Sequence, residues 1–391
     1  MNTFEGQQHC SLIAFQTRTT TRHGSRNKSS TMDTTHVPYR IAASYIFHRL
    51  HDAKIALPLI GIICGSGLSE LSNTLQDPTL TIKYGEIPGF PSHCTVEGHK
   101  GEIVFGLLSD VPAMCFRGRF HSYEGHDMKT VVLPVYVMRC LNVPICIVTN
   151  AAGGLNPDYS VGDVIAISDH LAIPQLAGKN PLIGPNDDEL GPRFPATSNA
   201  YDETLRETAQ HAATALGIDF FHPHGTYCFV SGPMYESRAE CRLLRMLGGD
   251  CVGMSTIPEI VAAHHCNMKT LCLSLITNKV VMAGDSGAPI ATHAEVLEAV
   301  AERSIQMQTL VQKIVATIKI EVLPKLPPLR QVSLIIPDDL HRTFHLERRH
   351  NRSKNQNWIS SQSISTCISG CALVSTGIVI GLMLRRTPSK S

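Results

Sequence analysis

The densest set of chemically capable residues in the chain is Phe116-Arg117-Gly118-Arg119-Phe120-His121-Ser122-Tyr123-Glu124-Gly125. The arginines offer fork donors for an oxyanion, the histidine a titratable group and the tyrosine an aromatic plate. In an extended run Arg119, His121 and Tyr123 point to one side, which suits a single anionic ligand such as phosphate. Gly65-Ser66-Gly67-Leu68 is a second anion-binding element, because glycines let the backbone come close and Ser66 adds a hydroxyl. Asn150-Ala151-Ala152-Gly153-Gly154-Leu155 offers free amides among small residues, starting with Asn150 and Ala151. Val252-Gly253-Met254-Ser255-Thr256-Ile257-Pro258-Glu259 brings the thioether of Met254 and the two hydroxyls of Ser255 and Thr256 ahead of a helix that Pro258 and Glu259 would start.

Two further segments suit a neutral heterocycle. Glu236, in Gly232-Pro233-Met234-Tyr235-Glu236, is a carboxylate that can accept from ring N–H groups, although alone it would more often be a helix-entry acid. Asn278, in Thr277-Asn278-Lys279, can donate and accept at once, as a base edge with a carbonyl and a ring nitrogen requires. No spacing among the histidines resembles a metal site, so no metal is expected.

These segments follow short β-branched runs at 59–64, 103–107, 114–116, 145–149, 164–167, 227–231 and 271–277. Several are continuously apolar, as strands buried on both faces are. Helical patterns lie between them, at 128–141 with Val131, Val135 and Met138 on one stripe, at 199–216 and at 292–318. The alternation predicts an α/β fold, a single domain with a mixed, largely parallel central β-sheet flanked by helices. In such sheets ligands bind beyond the carboxyl ends of the strands, which is where the residues above stand. Glu70 occupies the position of the third glycine of a dinucleotide fingerprint, so a Rossmann cofactor site is disfavoured.

Charge narrows the classes further. The 391 residues carry 34 Lys+Arg against 33 Asp+Glu, a formal net charge of +1, which argues against a nucleic-acid partner that relies on a large positive charge. The 13 cysteines are odd in number and contain no CxxC pair, so a reducing, cytoplasmic setting is expected rather than a disulfide framework. Residues 1–40 are basic, hydroxylated and acid-poor and are expected to form a disordered arm, leaving 41–320 as the folded domain. Residues 321–391 are an atypical C-terminal extension. Within it, 364–384 is apolar, flanked by Arg385 and Arg386, and about as long as a bilayer core is thick. It reads either as a tail anchor contacting a membrane or as an apolar extension with no packing partner.

Taken together, GSGL, GRFHSYEG, TNAAGG, GPMYES, VGMSTIPE and ITNK occur in the order and spacing of the trimeric purine nucleoside phosphorylases, which the chain resembles over about residues 40–318. The resemblance implies reversible phosphorolysis of purine nucleosides in a homotrimer, with orthophosphate as co-substrate and no cofactor. It implies phosphate binding by Ser66, Arg119, His121, Asn150, the Ala151 amide and Ser255, with His99 as a further candidate. Tyr123, Met254 and His293 would hold the sugar, and the latter's alignment needs a one-residue insertion after Asn278. Glu236 and Asn278 would grip the purine, with Tyr235 packed on it where the family commonly has phenylalanine. Phe194 would reach the sugar from a neighbouring subunit. The related methylthioadenosine phosphorylases, the alternative, typically carry aspartate where this chain has Asn278. The pair Glu236 and Asn278 therefore implies a preference for 6-oxopurines, inosine and guanosine, and a place in purine salvage.

Overall fold

The computed structural model describes residues 17–18, 37–65, 68–282 and 292–335. Its strands are β1 (Thr17–Arg18), β2 (Ile60–Ile63), β3 (Gln76–Lys83), β4 (Glu102–Leu108), β5 (Val111–Arg117), β6 (Ile145–Gly154), β7 (Val164–Ala166), β8 (Asp169–Ala172), β9 (Phe221–His222), β10 (Thr226–Phe229), β11 (Cys251–Gly253), β12 (Lys269–Lys279) and β13 (Leu334–Ile335). The helices are α1 (Val37–Ala53), α2 (Met128–Val131), α3 (Leu133–Cys140), α4 (Ile173–Leu176), α5 (Glu203–Ala215), α6 (Arg238–Met246), α7 (Ile257–His265) and α8 (His293–Glu321).

Eleven strands, β2 to β12, make one mixed sheet. Its centre is parallel: β5, β2, β6 and β12 lie side by side in one direction. All of β2, the first six residues of β6 and the middle eight of β12 are buried, as strands covered on both faces must be. Helices cover them. Leu310, Val311, Ile314 and Ile318 of α8 and Leu205, Ala209 and Ala212 of α5 join one apolar core with Ile60, Ile62, Ile147 and Leu273 of the sheet. Each β-branched run read from the sequence is a strand, while β3, β8, β9 and β11 of the sheet fall outside those runs. The helix expected at 128–141 is interrupted at Val132, just ahead of Leu133 and Pro134.

One feature of the sheet sets up the site. The pairing of β2 with β6 ends at Ile63 opposite Val148, and β11 joins the same edge of β6 only from Gly153. Residues Thr149 to Ala152 thus lack a strand partner on that edge, although β12 pairs them on the other. The chain after β2 closes over this gap: a Cβ on Gly65 would lie 2.7 Å from Thr149 O and from Asn150 Cα, so only glycine fits.

The ends of the domain differ from the sequence boundaries of 41 and 320. Helix α1 begins at Val37, with Tyr39 and Arg40 buried. Val322, Val332 and Leu334 are buried as well, so the first part of the C-terminal extension packs on the core. Ser66, the apolar segment 364–384, residues 1–16 and the segment 283–291 lie outside the described residues. Among the described residues no helix is long and apolar enough to cross a membrane.

Candidate active site

The anion end of the site is built around Arg119, which follows β5 and is 2% exposed. Tyr84 fixes the approach of the chain by donating to Gly118 O at 2.7 Å, inside an aromatic cluster with Phe90 and Phe120. The guanidinium lies across the ladder gap. Nη2 donates to Thr149 O at 2.6 Å, and Nη1 to Ser255 Oγ at 2.6 Å and Thr256 Oγ1 at 2.9 Å. On its far side Nε lies 3.6 Å from the carboxylate of Glu259, itself 1% exposed. Because Thr149 O faces the gap, the two-residue strand period turns the backbone of Ala151 the same way. Ala151 O indeed lies 3.4 Å from where a Cβ of Gly253 on β11 would be. Ser255 and Thr256 open helix α7, and Thr256 is buried at φ +78°, a costly conformation for a β-branched residue. Arg119, the α7 N-terminus and the open strand edge thus converge on one place suited to a polyanion.

His121 borders the same space. Its Nδ1 is 2.9 Å from Glu124 Oε1, which also accepts from its backbone amide at 3.0 Å, and its ring stacks on Tyr123 with centroids 4.6 Å apart. Burial holds the imidazole pKa below its usual value, and the Arg119 charge adds to that. Burial works against ionisation of Glu124, yet bonds from His121 and Thr95 hold its carboxyl well below the usual carboxylate range. The pair is therefore a neutral imidazole donating Nδ1–H to a carboxylate, which leaves Nε2 as an acceptor.

The opposite end of the cavity is less charged. Glu236 and Tyr235 enter it from the chain ahead of α6, Met254 from the end of β11, and Asn278 from β12. A register shift in β12 between Ile276 and Asn278, opposite Ala152 and Gly153, interrupts strand alternation there and re-aims Asn278. Its Nδ2 is 3.4 Å from where a Gly153 Cβ would be, so the glycine leaves room for the amide. Burial raises the pKa of Glu236, with the charge of Glu240 contributing in the same direction.

The structure thus gathers Arg119, His121, Tyr123, Asn150, Ala151 and Ser255 with Tyr235, Glu236, Met254 and Asn278 around one cavity. Asn150 also has a structural part: its buried amide donates to Thr256 Oγ1 at 3.0 Å, tying β6 to the start of α7. His99 stands behind the cavity wall, where its Nδ1 accepts from the Arg119 amide at 3.1 Å and its ring meets His121 edge-on. Phe194 is 88% exposed and does not line the cavity of its own chain. His293 opens α8, but its side chain lies outside the described residues, as does Ser66. Glu124 escaped the sequence reading, and Thr256 was read only as a second hydroxyl beside Ser255. The i, i+3 spacing of Glu124 from His121 is the signal that could have found it.

Residues 59–316 match the family model described as the phosphorylase superfamily. Purine nucleoside phosphorylase from Bos taurus is 46% identical over 263 residues, 67% of this chain and 90% of the relative. The crystal structure of Schistosoma mansoni purine nucleoside phosphorylase in complex with inosine is 41% identical, with a TM-score of 0.67 over 75% of this chain and 99% of that one. The complex of the Schistosoma mansoni enzyme with adenosine is 42% identical, with a TM-score of 0.66 over 73% of this chain and 97% of that one.

Proposed function

The chain belongs to the phosphorylase superfamily and, within it, to the purine nucleoside phosphorylases, and on that premise we propose that it carries out reversible phosphorolysis of purine nucleosides with a preference for 6-oxopurines. The observation that carries this reading is the juxtaposition in one cavity of the Arg119–Ser255 pair at an open strand edge with Glu236 and Asn278. Such a cavity suits an anion and a polar heterocycle side by side.

In this mechanism phosphate is the nucleophile, so no resident cofactor is called for. Arg119, Ser255 and the Ala151 amide hold it beneath the sugar, and Ser66 adds a hydroxyl. The neutral His121 takes a hydrogen bond from the phosphate P–OH through Nε2. As the glycosidic bond stretches, the ribose gains positive charge and the purine negative charge, and donors placed in advance for that charge lower the barrier. Asn278 donates to the departing base at N7 and bonds O6, Glu236 accepts from N1–H, and Tyr235 packs on the ring. Tyr123, Met254 and His293 position the ribose in line with the phosphate.

The 6-oxo preference follows from donor and acceptor matching. N1 of hypoxanthine or guanine carries a hydrogen that an ionised Glu236 accepts, whereas N1 of adenine is itself an acceptor. Phe194 reaching a neighbour's sugar makes the working form a homotrimer, its 88% exposure being consistent with such a contact. Ten described cysteines are free, which fits a reducing compartment such as the cytoplasm, and purine salvage is the role we assign. The test is a comparison of kcat/KM for inosine, guanosine and adenosine at saturating phosphate. Values at least about tenfold higher for the two 6-oxopurines, an about 1.4 kcal/mol difference, support the reading; equal or inverted values overturn it.

A further inference from the structure

The segment after α8 lies past the last residue matched to the family, yet the structure gives it a built seat. Val332 and Leu334 are each 2% exposed. Arg139, 2% exposed on α3, donates to Arg330 O and to Cys266 O. Glu189 accepts from the Ser333 amide at 3.0 Å and from its hydroxyl at 3.1 Å, while Arg40 of α1 donates to Ser333 O. These are specific polar contacts in a partly buried setting, and a terminal extension that merely trailed over the surface would not make them.

What the seat touches gives it meaning. Arg40 also pairs with Glu189 at 2.8 Å and with Asp187, and Tyr39 donates to Asp187. Asp187 and Glu189 belong to the loop between α4 and α5 that carries Phe194. Asp187 O receives the amides of Leu190 and Gly191, starting the turn that leads toward Phe194. The loop's other side rests on α7: His264 contacts Ala196 O at 2.7 Å, and His265 contacts Asn186 at 3.1 Å. A Cβ on Gly191 would fall 1.8 Å from His265 O, so the backbone is pressed against that helix end. The loop is thus held between α7 and the Arg40–Ser333 network.

We propose that residues 326–335 form a strap that positions the Phe194 loop, acting through Ser333, Glu189, Arg40 and Asp187. The strap is a positioning element and touches no substrate. Its effect on turnover rests on the role given to Phe194 above, whereas its effect on the loop does not. Releasing the strap removes two of the bonds on Glu189 and one on Arg40, and the turn at Asp187 to Gly191 loosens.

The test uses two full-length variants and hydrogen exchange without substrate. Ser333→Pro removes the amide that Glu189 accepts, and Leu334→Asp places a charge at a buried apolar position, so that the strap lifts even if the proline is tolerated. The strap predicts exchange at Leu190 and Gly191 faster by roughly tenfold or more, with β6 amides unchanged. Kinetically it predicts inosine KM raised several-fold, with phosphate KM and kcat within about twofold. A purely structural role would lower Tm and leave the ratio of the two KM values as it was. Unchanged exchange at Leu190 and Gly191 while residues 332–335 exchange faster would overturn the strap. The exchange arm decides the strap even if the wild-type chain failed to phosphorolyse inosine, a result that would sink only the proposed function.

Discussion

Arg119 and Ser255 stand 136 positions apart in the chain and meet at 2.6 Å, bridging the end of β5 and the start of α7 across the open edge of β6. The contact spends donors of the arginine on protein oxygens. Both hydrogens of Nη1 and one of Nη2 are committed, so on the proposed function a phosphate would take the remaining Nη2–H together with the hydroxyl of Ser255, which the arginine orients.

Ser255→Ala is therefore expected to raise phosphate KM about tenfold, the loss of one charge-assisted hydrogen bond of about 1.5 kcal/mol. Arg119→Lys, which cannot reproduce the fork to Ser255, Thr256 and Thr149, should cost about 3 kcal/mol and raise it roughly a hundredfold. Inosine KM should change little in either variant. Steady-state kinetics with each substrate varied in turn checks this, and a larger effect on inosine than on phosphate would refute the assignment.

On the proposed function Glu236 is expected to set the acid side of the pH profile. Burial raises its pKa, and the ionised form is the one that accepts N1–H, so kcat/KM for inosine should fall as pH drops through that raised value. The limb is expected above the ordinary glutamate value of about 4.3. In Glu236→Gln the limb should vanish and kcat/KM should fall by about 2–4 kcal/mol, roughly 30- to 700-fold. A variant with the wild-type acid limb would show that another group titrates there.

Asn278→Asp should move preference toward adenosine, because a carboxylic acid can protonate N7 and accept from a 6-amino group where the amide cannot do both. The expected change in the inosine to adenosine ratio of kcat/KM is at least about tenfold, or 1.4 kcal/mol. Unchanged ratios would remove Asn278 from base recognition.

Cutting the chain after residue 320 should destabilise it. The cut removes Val322, Val332 and Leu334 from buried positions and leaves Arg139 and Glu189 without their partners in the extension. Each lost apolar side chain is worth roughly 1.5–3 kcal/mol, so Tm should drop by many degrees. A chain ending at 336 retains these contacts and should melt higher than the chain ending at 320. Equal stability of the two truncations would mean that the extension contributes nothing to the fold.

Much of the cavity was legible in the sequence because its segments stand in or just after strands that are apolar enough to recognise: Arg119 after β5, Asn150 and Ala151 within β6, Asn278 near the end of β12; Met254 and Ser255, after β11, had no such strand signal. Side chains that work by contact with other side chains were not. Thr256 looked like one hydroxyl among several until its backbone conformation and its bonds to Arg119 and Asn150 were seen. Glu259 read as a helix-entry acid and is indeed in the first turn of α7, but its carboxylate faces the Arg119 guanidinium. The gap in the β6 ladder depends on which strands become neighbours, and β11, three residues long, carries no pattern that predicts it. The boundary at 320 failed for a related reason. Prolines 324, 327 and 328 end the helix, yet apolar residues beyond them find a partner surface on α1 and α3 that only the folded chain provides.

That phosphate rather than water attacks the sugar is tested most directly by following inosine and orthophosphate with the protein by ³¹P NMR. One equivalent of ribose 1-phosphate should form for each hypoxanthine released, with no release when phosphate is omitted. Hypoxanthine appearing with free ribose while the orthophosphate signal stays constant would contradict phosphorolysis at this site.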